Sequence, residues 1–152
     1  AVPVLLKKKM IVKKKISVRS EFSPLSLGEH LKVNDWELWI IDVQRDAYQA
    51  IYDMNTFNSE PETGMEAILI KLGIRYHGPP TKHDKLAIND FKVIGEKGII
   101  YNARYWDVLK LGIDQELSGG SETWGYISFN VSRGERELML LYKDKWHLSL
   151  ES

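Results

Sequence analysis

Between positions 65 and 76 the chain reads MEAILIKLGIRY, with Ile68, Ile70, Leu72, Ile74 and Tyr76 on one side of the alternation and Ala67, Leu69, Lys71, Gly73 and Arg75 on the other. A period of two sustained over twelve residues does not fit the 3.6-residue repeat of a helix, so the run predicts a long β-strand. A strand with one strongly apolar face has to press that face against a second layer. This strand therefore commits the chain to a packed sheet.

Other segments repeat the pattern. Residues 31–33 and 36–43 read as strands on either side of the Asn34-Asp35 turn, with Trp36, Leu38 and Ile40 on one face and Trp39 and Ile41 on the other, which implies that the second face is partly covered too. The tandem prolines Pro79 and Pro80 end the long strand. Residues 86–94 and 99–101 form an expected hairpin around Gly95 to Gly98, and Thr123, Gly125, Ile127, Phe129 and Val131 alternate with Trp124, Tyr126, Ser128 and Asn130 in another clean strand. Strands over 137–143 and 146–150 follow, the last with Trp146, Leu148 and Leu150 on one face. Residues 44–64 lack alternation and read as a long connection that holds a short helical turn, and residues 105–111 fit either a helical turn or a strand. Short strands at this spacing, with no βαβ rhythm, predict an all-β, immunoglobulin-like antiparallel β-sandwich of about seven or eight strands with short helical turns in its loops.

A chain of 152 residues suits one such domain. The expected division is a basic N-terminal arm over 1–20, with an added edge strand through its Ile16-Ser-Val18 alternation, and a sandwich over 21–152. Before Glu21 every ionisable side chain is basic: Lys7, Lys8, Lys9, Lys13, Lys14, Lys15 and Arg19 give +7. The other 14 of the 21 Lys and Arg residues face all 21 acids, so residues 21–152 carry −7 and the chain as a whole is neutral. Opposite charges of this size attract each other or partners of opposite sign. Lysines that guard an edge strand account for the arm better than a nucleic-acid patch, so nucleic acid is not an expected partner. The opening residues 1–6 are too short, and are followed rather than preceded by lysines, for them to be read as a signal peptide.

With no cysteine, the chain holds no disulfide, thiolate zinc site or cysteine nucleophile. Ser121 lies in GGSETWG, but a nucleophile elbow runs from a strand into a helix and here a strand follows. His77, His83 and Asp84 bracket the proline turn as candidate metal ligands, one short of a structural set. Residues 53–62 offer oxygen ligands, yet Asn58 takes the position where a calcium loop needs Gly and Gly64 the position of its bidentate Glu. Catalytic residues, metal ligands and cofactors are accordingly expected to be none.

Residues 31–43 (LKVNDWELWIIDV), the strand 65–76, residues 89–98 (NDFKVIGEKG) with Tyr101, and residues 117–131 (LSGGSETWGYISFNV) together resemble a bacterial family of secreted or lipid-anchored immunoglobulin-like domains of unknown function, related to mycobacterial immunoprotective secreted antigens. The resemblance spans roughly residues 24–146. It implies the sandwich fold and an extracellular or cell-envelope location, and it carries over no catalytic residue. This chain departs from the family at 75–80, where Arg75 to Pro80 replaces an Asn-rich strand end, and in its longer loop after the first strand pair.

Trp36, Phe129 and Trp146 fall on inferred core faces. Tyr101, Tyr105, Trp106, Trp124 and Tyr126 are harder to bury and are the candidate ligand-binding residues, suited to a sugar or a protein surface. The expected function is a non-enzymatic extracellular or cell-envelope binding module that presents loops 44–64 and 101–118 to a protein or glycan. The alternative is a structural or assembly protein that forms homo-oligomers through its basic arm.

Overall fold

The computed structural model describes residues 24–151, so the basic arm expected over 1–20 lies outside the described residues. Within them the chain is a two-layer antiparallel β-sandwich. Its strands are β1 (Leu31–Val33), β2 (Trp36–Gln44), β3 (Met65–Tyr76), β4 (His83–Asp84), β5 (Phe91–Ile94), β6 (Ile100–Asn102), β7 (Leu117–Ser118), β8 (Glu122–Ser132), β9 (Met139–Tyr142) and β10 (Trp146–Ser149). Eight of them form two four-stranded sheets, in the orders β1-β2-β3-β8 and β10-β9-β5-β6, while β4 and β7 make a small separate ladder. One helix, α1 (Tyr48–Met54), sits in the long connection after β2.

The long strand is the spine. β3 pairs with β2 on one side and with β8 along nearly its whole length on the other, from Met65 opposite Ser132 to Arg75 opposite Glu122. Its expected apolar face is buried: Ile68, Ile70, Leu72, Ile74 and Tyr76 are at most 1% exposed. They meet Phe91, Val93, Leu140, Tyr142 and Leu148 of the second sheet in one core. Each such side chain withdrawn from water contributes roughly 1.5–3 kcal/mol, so the long strand is a large contributor to the core. Phe91 and Tyr142 pack ring to ring at 5.0 Å, and burial, helped by Asp90 and Asp84, pushes the Tyr142 phenol up to about 12.

The opposite face of β3 explains why Leu69 is apolar as well. The helix lies across it, burying Ala47 and Ile51 against Ala67 and Leu69. α1 is two turns long and has no side-chain N-cap, so packing rather than intrinsic propensity holds it. It covers one end of the outer face of the first sheet and leaves the other end to Trp39, Lys71, Trp124 and their neighbours.

The hairpin expected at 86–101 is present as β5 and β6. Residues 105–111 take neither of the two regular forms considered for them. They are held instead as an irregular loop, for reasons of side-chain bonding given below. Trp36 and Phe129 are buried as expected, whereas Trp146 is only partly so.

Candidate ligand-binding surface

Three segments converge at one end of the first sheet: α1, the loop 55–60 that follows it, and the loop 103–114. Asn58 locks the first two to the third. Its buried side chain donates to the Ile51 carbonyl (3.0 Å) and the Val108 carbonyl (3.0 Å) and accepts the Val108 N–H (2.8 Å). The two bonds to Val108 serve backbone groups outside any helix or ladder, while the bond to Ile51 is that carbonyl's second, beside the Asn55 N–H at the helix end. Lys110 adds an N–H to the Met54 sulfur at 3.3 Å.

Arg104 fixes the rest of the loop. Its guanidinium donates to both oxygens of Asp107, to Asn130 Oδ1 and to the Ser59 carbonyl, and Ser128 Oγ donates to Asp107 at 3.0 Å. Removing either member of such a buried charge pair leaves the other uncompensated, which makes the pair a strong constraint on shape.

With its polar groups turned inward, this loop projects its apolar side chains outward. Trp106 is 87% exposed, Tyr105 54% and Val108 55%, and Tyr105 meets Trp106 edge-on at 5.1 Å. Phe57, next to the Asn58 lock, is 93% exposed, and Tyr52 of α1 is exposed too. Solvated aromatics on a rigid loop lose little freedom on binding, the property that makes such residues interface anchors. The exposed charges nearby are mostly acidic, Asp53, Glu60 and Glu62, with Lys110 of the same loop an exposed cation beside Met54. Burial, with the Glu60 carboxylate adding to it, raises the Tyr48 phenol above its usual range. Beneath the loop a cleft of about 420 Å³ is lined by Tyr105, Asp107, Leu109, Asp114, Tyr126 and Ser128.

Four of the five aromatics singled out in the sequence adjoin one another, Tyr105 and Tyr126 lining the same cleft, and Tyr101 stands apart. Tyr105 and Trp106 stand at the exposed end. Trp124 and Tyr126 lie on the outer face of β8, half-buried, with the rings edge-on at 5.4 Å and the Lys71 ammonium 4.2 Å from the Trp124 ring centre. Tyr126 also packs against the α1 cluster. Tyr101 is a correction: it points into the core at 8% exposure, its hydroxyl donates to buried Glu135, and Glu135 also accepts the Lys97 N–H at 3.0 Å. A tyrosine whose hydroxyl is consumed by a buried carboxylate fastens a turn and is withdrawn from any ligand.

Across from Trp124, Trp39 lies over Gly73, the residue between them in the register. A Cβ at Gly73 would fall 2.1 Å from Trp39 Cε2. His30 stacks on Trp39 at 4.1 Å and 1°, and its Nδ1 contacts Glu37 at 2.5 Å, while His77 Nε2 reaches the other Glu37 oxygen at 2.6 Å. The hydrogen bonds from His30 and then His77 hold the Glu37 carboxyl below its ordinary value against a smaller upward push from burial.

The other sequence candidates are used elsewhere. His77 turns to Glu37, while His83 and Asp84 form β4, paired with β7. Asp53 accepts from Gln49 and Asn55 caps the Phe57 N–H. Among the described residues no group of three His, Cys, Asp or Glu is disposed to hold a metal ion. Ser121 Oγ lies 3.3 Å from Ser118 Oγ. The residues that build the surface and that sequence reasoning missed are Arg104, Asp107 and Phe57. The one legible signal was an Arg-to-Asp spacing of three inside an aromatic loop.

No family model and no curated protein matches the chain. Solved structures match it in fold. A secreted protein of Mycobacterium tuberculosis, MPT63, aligns with a TM-score of 0.55 at 14% identity, over 85% of this chain and 98% of that one. A protein of Bacillus subtilis described only as a candidate lipoprotein aligns at 0.57 and 9% identity, over 80% of this chain and 38% of that one. An uncharacterized β-sandwich protein of Clostridium difficile aligns at 0.51 and 12% identity, over 93% and 100%. These likenesses establish the β-sandwich fold, and no helix among the described residues is long and apolar enough to cross a membrane.

Proposed function

We propose that this chain is a non-enzymatic binding module of the cell exterior or envelope, and that it engages a protein partner through Phe57, Tyr105, Trp106 and Val108. One observation carries the reading: the loop that displays Trp106 is pinned from behind by the buried Arg104–Asp107 pair while the indole itself is 87% exposed. A side chain that large is expensive to leave in water unless something covers it. The acidic rim of Asp53, Glu60 and Glu62 selects a partner whose apolar patch is bordered by lysine or arginine. The secreted and candidate lipoprotein neighbours support the location.

The test is a binding screen of the chain against envelope proteins and a glycan array, repeated with the Phe57→Ala/Trp106→Ala double variant. The expected result is a protein ligand whose affinity falls at least tenfold in the double variant and weakens as salt is raised. Binding to glycans alone, binding untouched by the double variant, or no ligand in either screen overturns the proposal.

A further inference from the structure

The outer face of the second sheet is built from two cross-strand rows. Register places Ser149, Met139, Ile94 and Ile100 side by side in one row, and His147, Leu141, Lys92 and Asn102 in the other. Four of these eight side chains are large and apolar, on a face turned away from the core. Ile100 is 58% exposed, whereas Leu141 is only 9% exposed although it belongs to the same outer layer. His147 Nδ1 on that face is buried with no hydrogen-bond partner among the described residues. At the Ser149–Met139 corner the face deepens into a groove of about 400 Å³ walled by Pro24, Glu96, Glu137, Leu138 and Glu151.

Pro24, which follows the basic arm in the sequence, is one wall of this groove. Its neighbour Leu25 already runs alongside β10: the Leu25 N–H donates to His147 and the Ser149 N–H donates to Leu25, at 2.9 and 2.7 Å. We propose that this face is the docking surface for the chain's own lysine-rich segment, residues 7–19. The segment's β-branched residues would match the Met139–Ile94–Ile100 row and its lysines Glu137 and Glu151, whereas Glu96 is already held by Arg136.

Reach, pattern and charge all fit this occupant. Val18 is six residues before Pro24, so an extended chain spans up to about 20 Å, and a four-stranded sheet is about 14 Å across its strand axes. The segment offers β-branched residues separated by cations, and the face offers an apolar row with Glu137 and Glu151 at its groove, its own Lys92 and the neighbouring Arg136 being paired with Asp144 and Glu96. Charges of +7 on the arm and −7 on residues 21–152 add attraction at longer range.

Because the chain contains no cysteine, a single Val18→Cys substitution accepts a nitroxide spin label at one position of the full chain. The methyl resonances of isoleucine and methionine then report on it. The expected result is strong broadening of Met139, Ile94 and Ile100, none of Ile51 on the opposite layer, and at least a halving of the broadening in Glu137→Lys/Glu151→Lys. Broadening confined to mixtures in which label and observed methyls sit on different copies assigns the face to a second molecule and overturns the proposal. Absence of broadening, or broadening unchanged by the charge reversals, overturns it as well.

Discussion

Arg104 grips Asp107 through two guanidinium nitrogens, and both side chains are nearly withdrawn from water, at 7% and 6% exposure. The pair sits directly behind the loop that displays Tyr105 and Trp106. Its position implies that rigidity at this end of the sandwich comes from polar bonding, because no regular element passes through residues 105–111.

Asp107→Ala leaves the Arg104 guanidinium buried with one anionic partner fewer. It is expected to cost about 3 kcal/mol, read as a fall in the urea midpoint at unchanged slope. Arg104→Ala should cost a similar amount, and the double variant much less than the sum of the two.

Asn58→Ala removes the donor and acceptor that satisfy Ile51 and Val108 together. The Ile51 carbonyl keeps its Asn55 N–H partner, so losing the two Val108 bonds is expected to cost about 1–2 kcal/mol. Hydrogen exchange should show the signature of a local lock, with amides of 104–111 exchanging far faster while those of β3 and β8 lose protection only in proportion to global stability.

Gly73→Ala drives a methyl group into the Trp39 indole. The expected destabilisation is about 1–3 kcal/mol, measured by thermal unfolding. Combined with Trp39→Ala, the same change should be nearly silent. A full penalty in that background would show that the strain lies elsewhere.

Stability should decline in acid for two named carboxylates. Glu37 is held below its ordinary value of 4.5 by hydrogen bonds from His30 and His77. Burial pushes Glu66 up, yet the bonds from Arg45, from the Gly134 N–H and from the Asp46 N–H more than offset it, so it too is held below 4.5. A group whose folded pKa lies below its unfolded one stabilises the fold fully above the unfolded value and loses that contribution as pH falls through the folded value. Urea midpoints from these two groups should therefore be flat above about pH 5.5 and drop progressively below about 4.5. Glu66→Gln should lower the plateau and make the acid decline shallower.

The sandwich was legible because its evidence is local. Alternation over 65–76 and 123–131, and the Gly95 to Gly98 turn, specify strands and a hairpin from neighbours a few residues apart. What escaped depended on partners distant in sequence. Tyr101 resembled the other aromatics until its hydroxyl met Glu135, thirty-four residues on. Asn58 read as an ill-fitting calcium-loop residue because the Val108 backbone it serves lies fifty residues away. The helix was legible only as a short helical turn somewhere in 44–64, because its two turns carry no side-chain cap and its packing on Ala67 and Leu69 makes it stable. Phe57 and Trp106 were visible as aromatics, but their exposure follows from the inward bonding of Asn58 and Arg104, which no periodicity records.

The Trp39 indole occupies the space where residue 73 would otherwise carry a side chain. Neither position is therefore free to drift alone as the lineage diverges. Relatives that keep an indole at position 39 should retain glycine at 73, and those that gain a side chain at 73 should have replaced the indole with something smaller, so the two columns of an alignment should change together.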